Sequence, residues 1–266
     1  MMDPIVQFKE SQKQGWAYFV PLQALTTRAA ARLVKYAGIR HGQKVLDVAC
    51  GTGVVAVTAA RLGANLTGLD LTPELLVHAR ENAGIAKVEI QWHEGDVEEL
   101  PFSDSAFDVV VSQFGHMFAP RPEIALGEML RVLKPGGVIA FSTWPPELLV
   151  GRSFGLVARY APPPPPGTAP PTLWGDPNVV KERLGKSMKQ IAFDRARMDV
   201  PALSPQHLRK TIEATAGPVL KLVEFLSASE PAKLAAFRAE YETLVTEYFE
   251  ENTVRQDYLL TRAVNA

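Results

Sequence analysis

Features that mark several protein classes are scarce in this chain of 266 residues. Its one cysteine, Cys50, excludes an intrachain disulfide and a zinc site built from several cysteines, and it suits a reducing compartment. The formal net charge is −1, so no basic excess predicts binding to nucleic acid or to an anionic membrane. No apolar run approaches the ~20 residues of a membrane span, and the N-terminal residues lack the apolar core of a signal peptide. These absences predict a soluble, cytoplasmic protein.

The most informative stretch that is present runs from Val45 to Gly53 (VLDVACGTG). Its first four residues are typical of a short buried strand, and the glycine-containing turn at 50–53 precedes an apolar helix predicted at 54–62. A strand, a glycine turn and the start of a helix form the adenosine-cofactor site of doubly wound α/β proteins. Glycine has no Cβ, so a ligand can approach the backbone of such a turn closely.

This stretch alone allows two classes of cofactor. The segment from Gly51 to Ala56 fits the dinucleotide fingerprint G-x-G-x-x-G/A, and Asp70 follows at the distance expected of a residue that binds a ribose diol. Asp47, however, lies inside the strand, where a dinucleotide site normally has an apolar residue. A carboxylate there helps to hold a cationic amino-acid group, which NAD lacks. The residues leave an NAD site and an S-adenosylmethionine site open, and they favour the second.

Four further motifs follow in order: GLDLT (68–72), EGDVEELPF (94–102), FDVVVSQFGHMF (107–118) and LRVLKPGG (130–137). Together with VLDVACGTG they resemble the successive motifs of class I S-adenosylmethionine-dependent methyltransferases, and most nearly the ubiquinone and menaquinone biosynthesis branch. The resemblance is strong between residues 30 and 145 and weak beyond them. It implies S-adenosylmethionine as the cofactor and S-adenosylhomocysteine as its product.

The resemblance and the order of the predicted elements imply an α/β fold. We expect a doubly wound, Rossmann-like, seven-stranded sheet that is mostly parallel with an antiparallel last strand, plus a helical, proline-rich cap. Apolar spacing predicts helices at 21–37 and 231–250, and a fifth strand at 138–143. The run of five prolines at 162–166 favours polyproline II, and we expect it to form a rigid loop at the rim of the acceptor pocket. The expected parts of a single domain, 1–266, are N-terminal lid helices (1–37), the cofactor-binding core (38–144), cap segments (145–188 and 202–250) and edge strands (189–201 and 254–265).

The resemblance also assigns roles to cofactor-binding residues. Asp70 is expected to accept hydrogen bonds from the ribose, and Asp96 from the adenine amino group. The alternative for Asp96 is a loop aspartate that caps its own turn. Leu71 and Val97 are expected to sandwich the adenine. The full expected set is Asp47, Ala49, Gly51, Gly53, Asp70, Leu71, Asp96, Val97, Gln113 and Phe114.

The segment 113–118 follows a predicted buried strand and is therefore expected to face the sulfonium and the methyl acceptor. His116 is the candidate general base, because the ordinary pKa of histidine, about 6.5, lies near neutrality. The alternative is a histidine that packs as a polar wall residue. No metal site is expected. The residues assigned to the acceptor pocket are Trp16, Tyr18, His116, Met117 and Trp144.

These observations predict methyl transfer to an oxygen, nitrogen or carbon atom of a small, partly hydrophobic acceptor. An NAD(P)-dependent oxidoreductase is the first alternative, although the chain has no Tyr-x-x-x-Lys pair for hydride transfer. A non-catalytic binding module with the same fold is the second. The apolar residues of the cap suit an acceptor pocket or a dimer interface equally, so the chain is expected to be a monomer or a homodimer.

Overall fold

Strands and helices alternate along the first half of the chain in the computed structural model, which describes residues 3–266. The strands of these residues are β1 (Lys44–Val48), β2 (Asn65–Asp70), β3 (Ile90–Glu94), β4 (Phe107–Gln113), β5 (Leu133–Thr143), β6 (Met188–Pro201), β7 (Phe249–Glu250) and β8 (Thr253–Asn265). The α-helices are α1 (Pro4–Trp16), α2 (Gln23–Ala37), α3 (Val54–Ala60), α4 (Pro73–Ala86), α5 (Pro122–Arg131), α6 (Leu149–Tyr160), α7 (Pro177–Leu184), α8 (Pro205–Thr215), α9 (Gly217–Ser229) and α10 (Pro231–Thr246). None of these helices combines the length and the apolar composition needed to cross a membrane.

The sheet has the order β3-β2-β1-β4-β5-β8-β6. Strands β1 to β5 are parallel, whereas β8 runs antiparallel to both β5 and β6. This confirms the predicted doubly wound sheet with an antiparallel last strand, and the two-residue β7 adds a short eighth strand beside β8. The strand order reverses between β1 and β4. The crevice at the carboxyl ends of these two strands is where open α/β sheets bind ligands.

Continuous apolar runs explain why the central strands lie in the middle of the molecule. Val109, Val110 and Val111 of β4 are fully buried, as are Val45 and Leu46 of β1. Strands covered by helices on both faces have no solvent-exposed side, so their side chains need not alternate between apolar and polar. Because the strands themselves are apolar and buried, the polar residues of this region lie in the loops at the strand ends.

The cap has a hydrophobic core of its own. Helices α6, α8, α9 and α10 contribute its buried side chains, and Leu226, Phe237 and Val245 are completely buried there. The sequence prediction of a proline-rich loop at the pocket rim is corrected in one respect. Helix α6 lines the cavity, whereas the proline run 162–166 is mostly exposed and is not part of the lining.

Three predicted boundaries shift for local reasons. Pro21 lies within a 3-10 turn (Ala17–Leu22), so the helix predicted at 21–37 starts only at Gln23. The helix predicted to reach residue 250 ends at Thr246, because the left-handed residues at 251–252 turn the chain back and pair β7 with β8. Strand β5 begins at Leu133, five residues before the predicted start at Val138, because Leu133 pairs with Phe107 and a register shift follows in the pairing of the two strands.

Candidate functional site

A cavity of about 280 Å³ lies at the carboxyl edge of the parallel strands. The loops after β1, β2 and β3 line one part of the cavity, which we call the cofactor half. The cap half is lined by residues 149–157 of α6 and by side chains of β6, α8, α9 and α10. Helix α1 lines the cavity as well, and the loop after β4 lies between the two halves. The two halves form one continuous space.

The turn after β1 brings the backbone to the cavity. Ala49, Gly51 and Gly53 have positive φ angles of 52°, 54° and 78°, which an L side chain tolerates poorly. A Cβ added at Gly51 would meet no atom within 4 Å, so the turn leaves room for a ligand. Gly53 has a different role from the one expected. Its added Cβ would lie 2.6 Å from the Trp92 ring, and Gly53 does not line the cavity.

Asp47 is a buried carboxylate with one unsatisfied oxygen. Its Oδ2 accepts a hydrogen bond from the Ala56 amide at 3.0 Å, whereas Oδ1 has no partner. Burial raises the pKa of Asp47 to about 8, and the nearby charge of Asp70 adds to the rise. A buried acceptor without a donor is costly. Asp47 therefore suits a ligand that brings a cationic donor.

Asp70 ends β2 and lines the cofactor half. Its Oδ2 accepts from the Gly51 amide at 2.7 Å and its Oδ1 from the Thr72 amide at 2.8 Å. Burial raises the pKa of Asp70, and these backbone hydrogen bonds oppose the rise. Each carboxylate oxygen has two lone pairs, so both retain capacity for a diol. The two backbone bonds hold the carboxylate in place.

Asp96, Leu71 and Val97 lie together on the cofactor half, as expected from the sequence. Asp96 also caps its own turn, since its Oδ1 accepts from the Glu98 amide at 2.9 Å. Its Oδ2 accepts from Nζ of Lys9 at 2.5 Å. The alternative that the sequence left open for Asp96 is thus present beside the expected ligand position, and one carboxylate oxygen is held by helix α1.

The loop after β4 meets the turn after β1. Gln113 donates from Nε2 to the Thr26 carbonyl at 3.0 Å, and its buried Oε1 has no partner. Phe114 has a positive φ of 58° and stacks on Trp144 with ring centroids 4.0 Å apart. A side chain in place of Gly115 would lie 2.6 Å from the Ala49 carbonyl oxygen. Left-handed non-glycine residues such as Phe114 and Ala49 cost about 1–3 kcal/mol and cluster at functional sites.

Helix α1 closes one side of the cavity. Trp16 lines it and packs against Phe118 with ring centroids 4.6 Å apart. Lys9 binds both Asp96 and the buried Glu98, at 2.5 Å each. Tyr18, which the sequence assigned to the acceptor pocket, does not line the cavity and is 54% exposed, because the 3-10 turn directs it to solvent.

His116 lies outside the cavity, contrary to the role expected from the sequence. Its ring is 1% exposed and packs between Phe141 and Trp174, with centroids 4.6 and 4.7 Å away. Neither ring nitrogen has a hydrogen-bond partner. Burial lowers the pKa of His116 to about 3, and the charge of Arg183 contributes. A ring sealed in the core has no access to an acceptor, so His116 is a packing residue.

Met117 is likewise a core residue and not part of the cavity wall. It is 1% exposed and belongs to the sheet core. The short 3-10 turn at 116–118 directs both His116 and Met117 inward, while Phe118 lines the cavity. Trp144, the remaining residue assigned to the acceptor pocket, does line the cavity through its stack on Phe114.

Most residues of the cap half were not identified from the sequence. They come from α6, β6, α8, α9, α10 and β8, which are far apart in the chain, and no motif links them. The apolar helical spacing predicted at 231–250, which includes Tyr241, is the local signal that pointed to a buried face here. The residues concerned are Leu149, Val150, Ser153, Phe154, Val157, Met198, Val200, Ile212, Ala216, Val219, Tyr241 and Gln256.

Comparison with known proteins agrees with this geometry. The family described as "Methyltransferase domain" matches residues 46–141. An uncharacterised protein of Mycobacterium tuberculosis is 34% identical over 257 residues, covering 95% of this chain and 93% of that protein. Ubiquinone/menaquinone biosynthesis C-methyltransferase UbiE of Roseobacter denitrificans is 42% identical over 113 residues, which are 40% of this chain and 45% of that enzyme.

A solved structure extends the likeness beyond the matched domain. Phosphoethanolamine N-methyltransferase 2 of Haemonchus contortus, in complex with S-adenosyl-L-methionine, aligns with a TM-score of 0.55 at 18% identity. The alignment covers 90% of this chain and 52% of that one, and at this identity it shows the fold. The oxidoreductase and the non-catalytic module considered from the sequence receive no support from these matches. The chain therefore belongs to the class I S-adenosylmethionine-dependent methyltransferases, and S-adenosylmethionine is its cofactor.

Proposed function

We propose that the protein transfers a methyl group to a small, partly hydrophobic acceptor that enters the cap half of the cavity. The observation that carries this proposal is the continuity of two chemically different halves. One half presents carboxylates and backbone amides, and the other presents apolar side chains. A cofactor held in the first would lie next to a molecule held in the second.

The residues of the cofactor half fit S-adenosylmethionine. Asp47 and Gln113 each hold a buried oxygen without a donor, which suits the cationic amino group of the methionine end. Asp70 has lone pairs available for the ribose hydroxyls, and Asp96 with Val97 would recognise the adenine. When bound, the cofactor supplies a methyl group that is already activated by its sulfonium charge.

The chain's own contribution is alignment and exclusion of water. Among residues 3–266, no histidine and no carboxylate except Asp47, Asp70 and Asp96 lines the cavity. All three carboxylates belong to the cofactor half. We therefore assign no general base to the chain. Helix α1 and the cap would hold the acceptor in line with the methyl group, and such positioning can account for a large part of a rate enhancement.

Calorimetric titration tests the proposal first. We expect S-adenosylhomocysteine to bind with a micromolar dissociation constant and NADH not to bind. Transfer of a radiolabelled methyl group from S-adenosylmethionine to extracted small molecules then tests turnover. Binding of NADH without S-adenosylhomocysteine would refute the assignment of the cofactor half. Cofactor binding with label found only in protein or nucleic acid would refute the small-molecule acceptor.

A further inference from the structure

The two halves of the cavity differ sharply in charge. Among the described residues, the charged side chains in its lining are Lys9, Asp47, Asp70 and Asp96, and all of them lie in or beside the cofactor half. Lys9 is neutralised by Asp96 and Glu98. The cap half therefore contains no side chain that could pair with a charge on a bound molecule.

The side chains that could hydrogen-bond a ligand in the cap half are few. They are Ser153 of α6, Tyr241 of α10 and Gln256 of β8. Ser153 donates its hydroxyl hydrogen to the Leu149 carbonyl at 2.8 Å, and a serine hydroxyl has only one hydrogen. Tyr241, whose hydroxyl also hydrogen-bonds Ser153, is therefore the hydroxyl of this half that can still accept a hydrogen bond from a ligand without losing an existing partner.

Tyr241 is held rigidly in this position. It is 5% exposed and packs against Phe237 within the cap core. Burial raises the pKa of its hydroxyl, an effect that the hydrogen bond with Ser153 partly offsets, and like any tyrosine it is neutral at neutral pH. A neutral hydroxyl surrounded by apolar side chains can recognise a polar group but cannot compensate a charged one.

We propose that the methyl acceptor is an uncharged, largely apolar molecule whose single polar end binds Tyr241, and that Tyr241 selects acceptors for this end. The inference rests on the proposed function and refines its substrate class. A carboxylate, phosphate or ammonium group in the cap half would lose its hydration without gaining a counter-charge. Acceptors with such groups at the cap end are therefore excluded by the lining itself.

Three probes with the same ring system test this proposal: 2-naphthol, 2-naphthoate and naphthalene. Each is titrated at neutral pH into protein saturated with S-adenosylhomocysteine. We expect 2-naphthol to bind at least about tenfold more tightly than 2-naphthoate, because only the second brings a charge. Weaker binding of naphthalene than of 2-naphthol would show that the hydroxyl group of the probe contributes to its affinity.

Two matched variants locate that contribution. Tyr241→Phe removes the hydroxyl in the cavity, and Tyr160→Phe removes another cap hydroxyl that binds Glu240 outside the cavity. We expect Y241F to weaken 2-naphthol binding about three- to tenfold and to leave naphthalene binding unchanged, while Y160F changes neither.

Each other outcome overturns the inference. Binding of 2-naphthoate as tight as that of 2-naphthol would refute the uncharged acceptor. Equal affinity of Y241F and the wild type for 2-naphthol would refute the role of Tyr241. Failure of all three probes to bind would refute an apolar acceptor site in the cap half. S-adenosylhomocysteine binding is measured first on each sample, so a failure of the cofactor assignment is seen separately.

Discussion

The cofactor half and the cap half of the cavity are built in opposite ways. The cofactor half consists of short loops at the ends of β1, β2 and β3, and its lining includes the side chains of Asp47, Asp70 and Asp96. The backbone amides of these loops hold Asp70 in place. The cap half is assembled from separate helices and strands and is almost wholly apolar. Polar contacts with defined geometry recognise one cofactor closely, whereas an apolar wall accepts any molecule of suitable shape.

The contrast predicts different effects of mutation in the two halves. A change in the cofactor half should reduce activity toward every acceptor alike, because every reaction uses the same cofactor. A change in the cap half should alter which acceptors are used. Variants in each half therefore test this division.

Replacing Asp70 with Ala should weaken S-adenosylhomocysteine binding by at least about tenfold, since the ribose and two backbone amides lose their acceptor. Calorimetric titration measures the loss. Asp199→Ala, on an exposed part of β6, is the control and should bind like the wild type. An affinity of folded D70A within twofold of the wild type would contradict the ribose assignment and remove the main distinction between the halves.

Replacing Asp47 with Asn should abolish a proton release that accompanies cofactor binding. The pKa of Asp47 is about 8, so the empty site holds it protonated at neutral pH, and a cationic amino group restores the carboxylate. Wild-type affinity should therefore rise with pH up to about 8, by at most about tenfold per pH unit. Titrations in buffers of different ionisation enthalpy measure the released proton.

The raised pKa of Asp47 should also make the stability of the folded protein depend on pH. An aspartate with a folded-state pKa of about 8 and an ordinary value of 3.8 keeps its proton in the folded state and loses it on unfolding between these limits. The empty wild-type protein should therefore lose stability as pH rises from about 4 to 8. D47N should lack this loss and be the more stable protein at neutral pH. Parallel urea titrations that show no difference would contradict the burial argument.

Replacing Lys9 with Met should speed cofactor dissociation about three- to tenfold, because Lys9 joins helix α1 to Asp96 and the buried Glu98. Lys13→Met is the matched control. Lys13 lies on the same helix as Lys9 but pairs with the half-exposed Glu94 of β3, and such a pair contributes little. Stopped-flow dissociation of S-adenosylhomocysteine distinguishes the two. Equal dissociation rates for K9M and K13M would mean that the ion pairs of Lys9 do not hold helix α1 against the cavity.

Replacing His116 with Phe should have the smallest effect on turnover, less than about threefold, because the ring lies outside the cavity. The stability of the variant should also fall less in acid than that of the wild type. The wild-type ring, with a pKa of about 3 against an ordinary 6.5, takes up a proton only on unfolding, so stability falls as pH drops through this window. A hundredfold loss of turnover with intact cofactor binding would restore His116 as the base.

Much of the fold was predictable from local pattern. The buried strands at 45–48 and 107–112 and the glycine turn between 50 and 53 are encoded by adjacent residues, and the structure has them in those places. The prediction that α10 continues through 247–250 was wrong. The apolar residues keep their helical spacing there, but the left-handed residues at 251–252 reverse the chain. Apolar periodicity alone cannot separate a helix end from a short strand.

The site was predictable to different extents in its two halves. Asp47, Asp70 and Asp96 line the cavity because parallel strands end at one edge of a sheet, so three loops far apart in the chain must meet there. His116 was misassigned for the converse reason. Its position after β4 was correctly inferred, but the 3-10 turn that directs its ring inward depends on packing against Trp174, nearly 60 residues later.

The class of fold, the cofactor and the loops that face it could be predicted from the sequence, because each carries a local motif and parallel strands end at one edge of a sheet. The lining of the cap half depends instead on the tertiary structure. The cap half draws Ser153, Met198, Tyr241 and Gln256 from four different elements, and no local pattern specifies that these side chains meet. Burial is a property of the assembled chain, and it is the assembly of the cap that places the Tyr241 hydroxyl in an apolar wall.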